Sequence, residues 1–125
     1  MNKVLIVDSN DTIRGSLMAS LKGLGHQVFE AATGPEALEI ANRLQPNLIM
    51  MEVRLPGMNG DEVTAKLKSN RATCNIPVVI NTGWTTACNT EDRIHRALNA
   101  GAAEVLRKPI QMPELRGVLR SYLLA

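Results

Sequence analysis

Aromatic residues are nearly missing from this sequence. Phe29, Trp84 and Tyr122 are the whole set. That excludes a row of stacking platforms for single-stranded nucleic acid, and it leaves the core to Val, Ile, Leu, Met and Ala. An excess of one charge is missing too: 14 Lys and Arg stand against 12 Asp and Glu, a formal net charge of +2. The basic residues are scattered, so no stripe awaits a phosphate backbone and no direct nucleic-acid partner is expected. Cysteine is scarce. Cys74 and Cys88 have neither metal-type spacing nor a histidine nearby, and free thiols in a reducing compartment are expected rather than a staple. Long apolar runs are absent as well. The one near the start, in "MNKVLIVDSND", is short and ends at Asp8, too brief for a signal peptide or a membrane span. The expectation is a cytoplasmic protein without a membrane partner.

What is present suits one domain over residues 1–125. The chain is 45% hydrophobic and 21% charged, enough apolar material for a real core and too little charge for disorder. Five short apolar runs recur: "KVLIV" (3–7), "QVFEA" (27–31), "NLIMM" (47–51), "PVVIN" (77–81) and "AEVLR" (103–107). The first, third and fourth are continuously apolar, as in strands covered on both faces. Helical spacing fills the gaps. Ile13, Leu17, Leu21 and Leu24 step by three and four behind a cap at Asn10 or Asp11. "GPEALEIANRL" places Pro35 in a first turn and Ala37, Leu38, Ala41 and Leu44 on one face. Further helices are predicted near 60–69 (Val63, Leu67), 90–100 (Ile94, Leu98) and 112–123 (Leu115, Val118, Leu119, Tyr122). Strand and helix alternating five times predict an open parallel α/β sheet with helices on both faces.

In such sheets the chemistry lies beyond the carboxyl ends of the strands. Those ends deliver Asp8 and Ser9 from the first strand, Glu52 from the third, Thr82 from the fourth and Lys108 from the fifth. Polar residues far apart in sequence therefore converge on one rim. Glu52 needs explaining, because a buried carboxylate is costly unless compensated. Other polar residues carry less. His26 and His95 read as surface residues, the six methionines as core filler with Met58 a candidate rim contact, and Trp84 as a rim loop residue suited to touching a partner.

Four stretches, "KVLIVDSNDTIR", "PNLIMMEVRLPGMNG", "PVVINTG" and "GAAEVLRKP", occur in an order and spacing that resembles the receiver domain of two-component response regulators over essentially the full length. The resemblance implies a flavodoxin-like sheet of order 2-1-3-4-5, and transfer of a phosphoryl group from a histidine kinase to an aspartate with magnesium. It puts that aspartate at Glu52, an acidic pair at Asp8 and Ser9, a hydroxyl switch at Thr82, an aromatic switch at Val105, and the lysine at Lys108, ahead of a cis bond to Pro109. Family members commonly precede an effector domain, and no such domain is present in this sequence.

Three of these positions depart from the family pattern: Glu52, Ser9 and Val105. An extra methylene displaces the attacking oxygen by roughly 1 Å, a misplacement that can cost about a hundredfold. Serine removes a carboxylate, which weakens a site for a hard cation. Valine has one stiff torsion and cannot swing as an aromatic would. A charge-mimicking change at 52 alone would leave Ser9 and Val105 unexplained. Asp8 is the one weak candidate metal ligand, so weak magnesium binding or none is expected, with no other cofactor. Glu52 is long enough to reach Lys108, and Thr82 comes into its range as well. Such a pair would either close an unused site or hold the rim in an activated arrangement.

Two functions stay open. One is a pseudo-receiver, not an enzyme, that works by binding a protein, either a histidine kinase or a downstream effector; a homodimer is also compatible. The other is a phosphorylatable receiver with slow, magnesium-dependent acyl-phosphate chemistry at Glu52. A flavin protein on the same topology fits less well, since "DSND" would present carboxylates to an anionic phosphate.

Overall fold

A computed structural model of the chain describes residues 2–83 and 90–123. Five strands, β1 (Lys3–Val7), β2 (Gln27–Ala31), β3 (Leu48–Glu52), β4 (Val78–Thr82) and β5 (Glu104–Arg107), alternate with five helices, α1 (Asp11–Gly23), α2 (Gly34–Leu44), α3 (Gly60–Lys68), α4 (Thr90–Ala100) and α5 (Met112–Tyr122). The strands are parallel and ordered β2-β1-β3-β4-β5, as the sequence led us to expect. β3, β4 and β5 begin one residue later than their apolar runs. Pro77, which has no N–H for a ladder, stays outside β4, and Glu52 and Thr82 become the last residues of their strands.

Strand alternation divides the core into two layers. Leu5, Val7, Ile49, Met51, Val78 and Ile80 pack on one face with Ala37 and Ala41 of α2, Val63 and Leu67 of α3, and Ile94 and Ala97 of α4. Val4, Ile6, Leu48, Met50 and Val79 pack on the other with Leu21 of α1 and Leu115, Val118 and Leu119 of α5. Arg93 of α4 meets the buried Asp61 of α3 at 3.2 Å, tying those two helices together.

The helix starts follow capping chemistry. Asn10 caps α1, its side chain accepting from the Ile13 N–H at 3.0 Å. Asp11 lies inside the first turn and pairs with Arg14 instead. Thr33 accepts from the Glu36 N–H, and Glu36 reaches back to the Ala32 N–H at 2.8 Å, a reciprocal box around Pro35.

Periodicity overstates burial in places. Ile13 and Leu98 are each 39% exposed, and Leu24 is exposed as well. α1 rests on the sheet through Leu17, Met18 and Leu21. Its first turn overhangs, so Ile13 lies with Met112 along an open groove of about 500 Å³ between α1 and α5. On α4 the small Ala97 takes the buried place next to Leu98. Met112 is exposed rather than core filler, Met58 packs against the α2–α3 layer, and His26 is half-buried while His95 is exposed. Cys74 is free and half-buried. Cys88 and Trp84 lie outside the described residues.

Candidate functional site

Asp8 follows β1 directly and is buried. Its Oδ1 accepts from the Asn10 N–H at 2.9 Å, and its Oδ2 faces Lys108 Nζ at 2.5 Å. Glu52, the last residue of β3, brings Oε2 to within 2.7 Å of the same ammonium. That contact is close but poorly angled, an ion pair rather than a well-formed hydrogen bond. Glu52 and Lys108 side chains are each 14% exposed. Lys108 thus stands between two carboxylates and shields both.

Alternation explains why these three meet. On β1, Ile6 faces the α1–α5 layer, and Asp8 follows it by two; Glu52 follows Met50 in the same way on β3. Lys108 comes just past β5, where the Lys108–Pro109 peptide is cis. Strands lie about 4.8 Å apart, and the lysine must reach across the end of β4 to arrive at β3. Its four-carbon stem spans that distance.

Thr82 and Val105 belong to the other face. Thr82 follows Ile80 by two, Ile80 pairs with Val105, and Val105 packs on the α2–α3–α4 layer. Thr82 is fully buried, and its hydroxyl donates to the Gly83 carbonyl at 3.4 Å. The structure therefore joins Glu52 to Lys108 and leaves Thr82 engaged elsewhere. Ser9 is exposed.

The electrostatics follow the geometry. Burial pushes the Glu52 carboxyl above its ordinary value; Lys108 opposes that shift and Asp8 adds to it, with the result still upward. Burial alone would lower Lys108, but Asp8 and Glu52 together outweigh it and hold the amine above its usual range.

Two neighbours were not singled out from the sequence. Asn81 pairs with Glu52 across the β3–β4 ladder and is buried, with its Oδ1 lacking a hydrogen-bond partner. A polar residue inside an otherwise apolar strand was the available signal. Gly60 lies against the end of β3: a Cβ there would come within 2.4 Å of the Glu52 carbonyl oxygen. Its N–H donates to the Val53 carbonyl at 2.8 Å, which fixes the β3–α3 loop beneath the site.

The sequence profile of the response regulator receiver domain matches residues 4–120. The chain belongs to the response regulator receiver family. This receiver is 34% identical over 121 residues to the sporulation initiation phosphotransferase F of Bacillus subtilis, covering 97% of this chain and 93% of that protein. It is 32% identical over 123 residues to the protein PilH of Pseudomonas aeruginosa, covering 98% of each. Among solved structures it resembles the receiver domain of a sensor histidine kinase from Pseudomonas aeruginosa PAO1, with a TM-score of 0.84, 26% identity and 97% and 96% of the two chains covered. That structure has a magnesium ion coordinated in its active-site cleft. This receiver is a module of two-component signalling, and none of its described helices is long and apolar enough to cross a membrane.

Proposed function

We propose that residues 1–125 form an atypical receiver whose phosphate-accepting rim is closed by an internal ion pair. It acts by binding a protein partner, a histidine kinase or a downstream effector, without obligatory phosphorylation. The observation that carries this reading is the Lys108 ammonium held between Asp8 and Glu52, at 2.5 and 2.7 Å. An attacking oxygen must be free and in line with the phosphorus. Here the carboxylate at the acceptor position is committed to a cation.

The side chains present do not suit the magnesium ion that receivers use. Asp8 has one oxygen on the Asn10 N–H and the other on Lys108, and Ser9 offers only a neutral oxygen. Two carboxylates against one ammonium leave a single net negative charge for a divalent ion. Among the described residues no three acidic, histidine or cysteine side chains gather as a metal site. Magnesium dehydrates reluctantly and is held mainly by carboxylates, so this set competes poorly with water. The half-buried Val105 also lacks the reach of an aromatic readout.

The second reading, slow phosphorylation of Glu52, keeps some support from Lys108 and Thr82, which stand at the strand ends the family uses. Incubation with magnesium and acetyl phosphate, followed by intact mass, separates the two. The closed-rim reading expects no phosphoryl adduct on this chain and an adduct on the E52D/S9D variant. An adduct on the unaltered chain that disappears in E52Q would replace it with the second reading.

A further inference from the structure

Arg14 is a charged residue on a surface helix, yet its side chain is only 12% exposed. Its guanidinium turns back toward the sheet and serves three elements at once. Nη1 donates to the Asp8 carbonyl at 2.7 Å, Nε to Glu30 Oε1 of β2 at 2.8 Å, and Nη2 to Asp11 Oδ1 of α1 at 2.6 Å. The Arg14–Asp11 pair alone would mean little, because Asp11 is largely in solvent. The fork as a whole is different. A planar guanidinium presents several donors in fixed directions, which the single ammonium of a lysine cannot do. Asp8 is consequently gripped twice, by Arg14 at its main chain and by the Asn10 N–H and Lys108 at its carboxylate.

We propose that Arg14 is a positioning residue of the rim, clamping the β1–α1 turn so that the Asp8 carboxylate stays on Lys108 and Lys108 stays over Glu52. Its functional weight rests on the closed-rim reading above, whereas the clamp itself is a matter of geometry. Without the fork, Asp8 keeps its N–H on the Ala31 carbonyl at 3.1 Å, but its own carbonyl loses the tie through Arg14 to Glu30, and the turn through Asn10 can shift outward. Lys108 then loses its shorter contact and its amine opens to solvent.

Selective acylation of lysines on the full chain, read residue by residue by peptide mass spectrometry, tests this. Lys68 serves as an internal control: it is held at the opposite rim, its Nζ donating to the Cys74 and Ile76 carbonyls at 3.1 and 2.6 Å. R14Q is expected to speed Lys108 labelling about tenfold while Lys68 is unchanged, the size of losing one charge-assisted hydrogen bond. R14K should recover only part of the protection. E30Q removes one anchor without touching Arg14, and should move Lys108 the same way by less; it decides the matter if R14Q does not fold. Unchanged Lys108 labelling in both variants would overturn the proposal, as would Lys108 and Lys68 rising together. A phosphoryl adduct on the unaltered chain would remove the closed-rim reading and leave the labelling result standing, so the two failures are distinguishable.

Discussion

Replacing Lys108 with methionine keeps the stem and deletes the charge, leaving Asp8 and Glu52 facing each other with no cation between them. At 2.7 Å and an effective dielectric of roughly 20, each contact is worth about 6 kcal/mol of gross attraction before desolvation is subtracted. Stripping one partner from a buried pair usually costs about 3–5 kcal/mol net, and K108M should fall in that range at pH 7. The pH dependence has a definite sign. Glu52 has a folded value raised above 4.5, so its contribution is fully present below 4.5 and fades as pH rises through the folded value. Lys108 is raised above 10.5, so its contribution is full below 10.5 and is lost only in strong alkali. K108M should therefore recover stability on moving from pH 7 toward pH 4, as the raised Glu52 carboxyl takes up a proton. Adding E52Q should restore much of the loss at pH 7, since Asp8 then stands alone beside a neutral amide. Urea denaturation of the three proteins at both pH values measures this. A K108M penalty below about 1 kcal/mol at pH 7 would place the pair among solvent-screened surface contacts and refute the closed rim.

Three further outcomes follow from particular atoms. G60A drives a methyl into the Glu52–Val53 backbone and should cost about 2 kcal/mol or more by overpacking; thermal melts reporting a wild-type midpoint would contradict this. N81L replaces a buried amide whose Oδ1 has no partner, and should leave stability unchanged or raise it by about 1 kcal/mol, whereas a loss of several kcal/mol would mean the amide is satisfied. Tyr122, the only tyrosine, donates to Glu104 Oε2 at 2.5 Å and is pushed up to about 12. Ultraviolet titration should show that late ionisation, and E104Q should return it toward 10.0.

The sequence by itself settled whatever depends on neighbours along the chain. Alternation, helical spacing and Pro, Gly and Asn punctuation act within a few residues, so the five strands, the five helices and the rim to which Asp8, Glu52 and Lys108 belong were all readable. Boundaries slipped by one residue at the starts of β3, β4 and β5, in β4 because Pro77 has no N–H to give a ladder. Burial was less legible: Ile13 and Leu98 fit the apolar stripe of their helices, but only the docking of α1 and α4 shows that they overhang.

The tertiary structure decided the contacts. Asp8 and Lys108 are 100 positions apart, and their meeting depends on sheet order, on which face each side chain takes, and on a lysine long enough to cross β4. The same alternation put Thr82 and Val105 on the other face, a separation that is hard to see when residues are named only by their place near a strand end. Arg14 shows the limit most clearly. In sequence it is one more charged residue on a surface helix, and only the folded chain brings it against the Asp8 carbonyl and Glu30 together. Local periodicity specifies elements because it is a property of consecutive residues; ion pairs between distant strands exist only once packing has fixed how those elements lie.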